Sequence, residues 1–458
     1  MEYEDATYAV VESNTPFGVD ITYTFDPFTN TLTTAWDFAD LELDGTNPDV
    51  VITSDRDSSG FLLWEQASVA GIADYRNDYQ FDGYGRPVAV TQDSVTGGNS
   101  VAKKRVEFSY NDDSYLAAID RYLYETDGTT LDPVASSSYS YTDGELTGLV
   151  HSDPAEAVLA QYGWRYDNGR IVGEDTDANG LDDATFTYDT DGQLTGVLDL
   201  KDTARIADYY YDDTGNRTSV IDAGGSHTYT VDAFNRVTCD GTYHYDYDPE
   251  GNRVAKYIWT DAYPWDGEVD WNANEISNWT VYTWDHRNRL IQVESGATYG
   301  TTDVTVTFGY DWLNRWISTD VDYASADDTS EYFVYGGATL LDGVSPWDRA
   351  AVDSRDIGQI TLRLDDTEKI TNRYLWGPAV DQILADEQVD WNAGAHDYDI
   401  DQILWPLTDH QGTVRDLAAV NVQVELRREN SNSASFFSHS SKASLQVSGD
   451  LVPMPLAR

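Results

Sequence analysis

T-F-T-Y-D-T-D-G-Q-L-T-G-V, residues 185–197, is the stretch that decides how this chain folds. Phe186 and Tyr188 stand two apart, the period of a strand with one buried face. Asp189 opens a tight bend that closes at Gly192. Asp suits the first position of a type I turn, and Gly suits the following position where φ turns positive. Gln193–Val197 then leaves as a second extended segment. The unit is a β-hairpin, and the sequence repeats it.

An aromatic followed by Asp-x-x-Gly recurs at Phe81-Asp82…Gly85, Tyr211-Asp212…Gly215 and Tyr247-Asp248…Gly251. Asn takes the Gly place in Val231-Asp232…Asn235, Trp284-Asp285…Asn288 and Tyr310-Asp311…Asn314, as its tolerance of the left-handed region permits. Degraded copies stand at Tyr110-Asn111, Tyr141…Gly144, Tyr166-Asp167…Gly169 and Phe25-Asp26. Anchors are mostly about 20 to 30 residues apart, the span of one hairpin and its connection.

The units Y-D-D-T-G-N-R (211–217), Y-D-P-E-G-N-R (247–253) and W-D-H-R-N-R-L (284–290) resemble the YD repeats of RHS and teneurin-type proteins. Farther on, R-Y-L-W-G-P-A-V-D-Q-I-L-A-D-E (373–387) and W-P-L-T-D-H-Q-G-T-V-R-D-L (405–417) resemble the RHS repeat-associated core segment. Asp409, His410, Gly412 and Arg415 carry its D-H-x-G-x-V-R signature. The resemblance spans roughly residues 75 to 420. It implies a hollow β-shell, which encloses or displays a cargo polypeptide at the cell surface or outside the cell, and makes His410 structural rather than an acid–base group.

Twist and edge protection point the same way. A ribbon of a score or more short antiparallel strands must curl, split or close. The expected fold is therefore all-β, with repeated hairpins winding into a curled sheet or spiral shell. Residues 1–75 read as divergent β repeats, with Thr22–Asp26 returning along Asn30–Trp36. Residues 76–340 form the repeat region, 341–420 the partial core segment, and 421–458 a disordered or foreign tail rich in Ser and Asn. Helical periodicity is scarce; Pro154–Gln161 offers one short helix.

Lys and Arg number 28 against 81 Asp and Glu, a formal charge of −53 that argues against nucleic acid or an anionic membrane as partner. Aromatics at 13% supply surface to bury, which disorder would not. No apolar run approaches the roughly 18 residues of a membrane helix. The N-terminal M-E-Y-E-D-A-T-Y is not a secretory signal, so the chain reads either as exported by another route or, the preferred expectation, as one piece of a longer product. Cys239 is the one cysteine and reads as a packed thiol.

Seven arginines, Arg86, Arg170, Arg217, Arg236, Arg253, Arg289 and Arg315, fall just past a bend. At that phase each either bridges neighbouring hairpins by ion pair and ring stacking, or is a solvated turn residue. Asp175, Asp177, Asn179 and Asp183, with Gly180 at the sixth place, resemble the calcium loops of dockerin-like and thrombospondin-type repeats. D-A-N-G is equally a hairpin turn, so calcium and turn both stand. Val269–Ala273 and Val389–Ala393 both spell V-D-W-N-A, acidic aromatic loops that either hold carbohydrate or protein, or tuck their Trp against the sheet. No zinc spacing, nucleophile elbow or phosphate loop occurs, and the reading is of a non-enzyme.

Overall fold

The computed structural model describes residues 8–12, 19–26, 31–38, 49–259, 276–311, 313–336, 358–377 and 381–421. They form 32 strands and one short 3-10 helix, Thr203–Arg205. Each strand pairs antiparallel with its neighbour in sequence, as in Val19–Asp26 with Thr31–Phe38 and Ala184–Tyr188 with Leu194–Asp199. The strands make an 18-stranded and a 14-stranded sheet, neither closed into a barrel. The division falls at Tyr229. Gly225–Thr228 pairs backwards with Arg217–Asp222, and Thr230–Val231 pairs forwards with Val237–Cys239. The polypeptide is thus one ribbon with a joint one residue long.

The bends follow the expected chemistry. In the 189 unit, Gly192 N–H donates to Asp189 O at 3.2 Å and Asp189 N–H to Gln193 O at 3.0 Å. Gly192 has φ 87°, and Asn235, Asn288 and Asn314 take φ 62°, 59° and 66° in the same place. The Asp side chain holds the loop, its Oδ1 accepting from Asp191 N (3.0 Å) and Gln193 N (2.8 Å). Every such hairpin also slips register beside its anchor: Thr187 faces Gly196, but Tyr188 faces Leu194. The slip recurs at Tyr211, Tyr247, Trp284 and Tyr310. Bulges repeated at one phase add twist at each step, so the ribbon bends steadily.

Bending brings the end of the ribbon back to its start. One core joins Val19, Ile21, Trp36 and Tyr75 to Ile317, Val334, Leu362 and Ile370; a second joins Val106, Phe108 and Ile119 to Leu375, Ile403 and Trp405. Polar contacts follow in the same order: Arg315 lies over Trp36, Arg373 meets Asp74, Glu387 meets Lys104, and His151 meets Thr408. Partner numbers climb together. The second pass therefore lies against the first in the same sense, as in a coil.

Three expectations need correction. Pro154–Gln161 is no helix, because Asp153 Oδ1 accepts from Ala155 N (2.9 Å) and Ala157 N (2.8 Å), making the repeat's own turn before the strand Val158–Asp167. Val389–Asn392 is not a loop but the end of the strand Ile383–Asn392, with Trp391 edge-on to Tyr398 at 5.0 Å. The proposed tail begins inside a strand, Val414–Asn421. The remainder of the tail, the Val269–Ala273 copy and all of 341–357 lie outside the described residues.

Candidate functional site

The strands alternate in direction, so the signature turns at Asp82, Asp189, Asp212, Asp232, Asp248, Asp285 and Asp311 all fall along one rim of the ribbon. There six anchor rings reach back to the previous hairpin. Tyr110 OH donates to Pro87 O (2.9 Å), Tyr188 OH to Ile171 O (2.8 Å), Tyr211 OH to Leu194 O (2.8 Å) and Tyr247 OH to Val237 O (2.8 Å). Trp284 and Trp376 do the same through Nε1, to Arg253 O at 2.8 Å and Ile360 O at 2.6 Å. For the turns opened by Asp82, Asp189, Asp232 and Asp248 the acceptor is the fifth residue past the Asp, and for the shorter turn at Asp167 it is the fourth.

The arginines lock the same step from the other side. Arg86, Arg236 and Arg289 each pair with their own turn Asp, at 2.7, 2.6 and 2.7 Å, and lie over the next hairpin's Tyr110, Tyr247 and Tyr310, at 4.4, 4.8 and 5.0 Å. Arg315 pairs with Asp311 at 2.6 Å and lies over Tyr335, with both charged side chains fully buried. Arg170 and Arg217 make only the ring contact, to Tyr188 and Tyr229, and Arg253 lies over Tyr245 of its own hairpin. The bridging reading thus holds in full for four of the seven. Arg236→Gln is expected to lower stability by about 0.5–1.5 kcal/mol, and Arg315→Gln by about 3–5 kcal/mol because it strands Asp311 in the interior. Urea melts of the two variants check this, and equal losses would refute it.

The D-H-Q-G-T-V-R stretch is one more copy of the turn. Asp409 Oδ1 accepts from Gln411 N (2.9 Å) and Thr413 N (3.0 Å), Gly412 has φ 80°, and Arg415 Nε donates to Asp409 Oδ2 at 2.7 Å. His410 packs on Trp164 with ring centroids 4.5 Å apart. Asp409 is thereby committed to backbone and guanidinium, which leaves no carboxylate–imidazole dyad.

Two buried polar networks join the passes, and sequence reasoning singled out neither. In the first, Arg373 grips Asp74 with two bonds, Nε to Oδ2 at 2.7 Å and Nη2 to Oδ1 at 2.8 Å, and reaches Glu387 Oε1 through Nη1 at 2.8 Å. Lys104 Nζ donates to Glu387 Oε2 at 2.6 Å, and Asn99 Nδ2 to Asp74 Oδ1 at 2.8 Å. All four charged side chains are fully buried, two of each sign. Arg373 and Glu387 are the first and last residues of the quoted 373–387 stretch. In the second network Arg121 Nη1 donates to Ser137 Oγ (2.8 Å), Ser137 Oγ bonds His151 Nδ1 (2.8 Å), and His151 Nε2 meets Thr408 O (3.1 Å). A proton on Nε2 satisfies every bond of that chain. Burial, with Arg121 nearby, pushes the His151 pKa down to about 4.

The calcium loop brings three of its carboxylates together: ligand oxygens of Asp175, Asp177 and Asp183 lie within 4.8 Å of one another. Lys201 already puts a cation there, its Nζ 2.6 Å from Asp183 Oδ2 and 3.0 Å from Asp177 Oδ2. Asn179 Oδ1 accepts from Leu181 N at 2.8 Å and Asp175 Oδ2 from Gly180 N at 2.8 Å, as in a turn. A divalent ion must displace the ammonium. Millimolar calcium is therefore expected to leave the melting temperature unchanged in the parent and to raise it in Lys201→Met; a shift in the parent would overturn the turn assignment.

An open hollow of ≈ 450 Å³ lies between the 189 and 212 turns, walled by Asp189, Asp191, Tyr209, Tyr210, Asp212 and Asp213. Hydrogen bonds from Asn216 and Thr214 hold Asp212 at a pKa of about 2, so this carboxylate is a fixed structural anion.

No family model matches the chain, and neither does any curated protein. Among solved structures 43 chains match. One is a porin-like protein from Bacteroides uniformis ATCC 8492, 10% identical, with 75% of this chain and 95% of that chain covered at a TM-score of 0.17. So low a score carries no argument.

Proposed function

We propose that this chain is a non-catalytic wall that encloses or displays a cargo polypeptide, in the manner its resemblance to RHS and YD-repeat proteins implies, at the cell surface or outside the cell. One observation supports this most. The polar chemistry described above (turn carboxylates, rim arginines, anchor hydroxyls and both buried networks) is engaged in holding strand to strand or pass to pass. The runner-up, a calcium-dependent carbohydrate or protein adhesion module, is weaker, because Trp391 packs against Tyr398 and Lys201 occupies the acidic loop.

The test is protection. An unstructured reporter polypeptide with a protease site, fused after Arg458, should be cut far more slowly than the free reporter. The difference should vanish in a variant whose passes have come apart. Equal cleavage in the parent fusion would sink the wall reading.

A further inference from the structure

We propose that the strand Val414–Asn421 is a docking edge for one more antiparallel strand, supplied by a second polypeptide with Tyr or Trp just before its turn. On one side this strand pairs with Asp397–Thr408. Among the described residues its other edge pairs with nothing, and Val414 and Leu417 are 46% and 38% exposed. Open edges normally carry Lys, Pro or a bulge that blocks addition. V-R-D-L-A-A-V-N has neither Lys nor Pro.

The rim states what covers it. At the 82, 232 and 311 turns the carbonyl five residues past the turn Asp takes a hydroxyl from the next hairpin, and the arginine paired with that Asp lies by the next ring. The last turn offers the same carbonyl, with an arginine two places farther along. Val414 is the fifth residue past Asp409, and Arg415, the sixth where the rim arginines are the fourth, is already paired with Asp409 at 2.7 Å. Arg415 is 54% exposed, against 27%, 27% and 20% for Arg86, Arg236 and Arg289, which lie beneath their rings. The incoming strand would therefore place its ring on Arg415 and its hydroxyl or N–H on the Val414 carbonyl. This is strand addition to a sheet edge, with backbone bonds giving affinity and one ring giving register.

The probe is a fluorescent peptide copying Thr329–Gly336, T-S-E-Y-F-V-Y-G, whose Tyr335 makes this contact on Trp316 O at 2.8 Å and lies by Arg315. Titrated with the full chain, it should bind, and hydrogen exchange should slow at residues 414–421. Replacing its last Tyr with Phe should weaken binding about fivefold, the worth of one net hydrogen bond. Arg415→Gln should weaken it comparably. No binding at millimolar peptide, or binding without protection of 414–421, would overturn the proposal. So would amides of 414–421 already protected in the isolated chain, whether by its own residues beyond 421 in a monomer or by a second copy in a concentration-dependent dimer.

Discussion

Arg373→Met is expected to destabilise the protein by about 3–5 kcal/mol, a loss as large as that expected of Arg315→Gln. The substitution keeps the side-chain length but leaves Asp74 with Asn99 and Glu387 with Lys104 and the Ala102 amide, in a place from which water is excluded. The loss comes from that stranded charge rather than from the absent attraction. Removing Asp74 as well, in Arg373→Met/Asp74→Leu, should recover about half of it, because the remaining Lys104–Glu387 pair is still neutral in sum. Urea denaturation followed by Trp fluorescence gives both numbers. If the double variant is less stable than the single one, the account in terms of uncompensated burial is wrong.

Acid is expected to loosen the same junction through His151. Its folded pKa lies below the unfolded one, so the neutral ring's full contribution is present above about pH 6.5 and is lost as pH falls through about 4. A depression of that size corresponds to about 3 kcal/mol. The protonated ring would sit beside Arg121 and could no longer accept at Nδ1 from Ser137. Ser137, the Tyr162 ring and the Thr408 carbonyl complete its surroundings, with no carboxylate bonded to it. Glu368 acts in the opposite sense. Burial, with Asp49 beside it, raises its pKa to about 7, so its contribution is lost as pH rises from the ordinary carboxylate range through 7. The two trends overlap, which makes the wild-type profile a poor test. The difference between wild type and His151→Gln should fall steadily from pH 6.5 to 4, and that between wild type and Glu368→Gln should fall from pH 4.5 to 7. A flat His151 difference would mean the ring is not held neutral.

Most of the fold could be read from the chain because its determinants are local. Tyr188, Asp189 and Gly192 specify a turn by themselves, and seven such copies predict a meander whatever lies between them. The Asn substitutions at 235, 288 and 314 were legible for the same reason, since backbone sterics alone select them. What pairs across the passes was not legible. Asp74, Lys104, Arg373 and Glu387 meet only after some 300 residues of accumulated twist, and one acid among 81 advertises nothing. The hint available was small: Arg373 interrupts the apolar alternation of I-T-N-R-Y-L-W, where a solvated strand face has no need of a long cation. The cation already seated at the acidic loop was not legible either, because Lys201 is 18 residues beyond Asp183 and outside any loop pattern.

The one-residue joint at Tyr229 bears on how the molecule is made. Pairing only neighbours, the ribbon can assemble hairpin by hairpin as it leaves the ribosome, each step closing a short stretch of chain at little entropic cost. The coil's overlap is different: Asp74 must wait until Arg373, 299 residues later, has been synthesised. Until then the apolar faces around Trp36 and Val106 stay wet, and a nascent chain halted midway would expose them together with a bare strand margin. Productive and failed synthesis therefore diverge late, at the moment the second half arrives to cover the first.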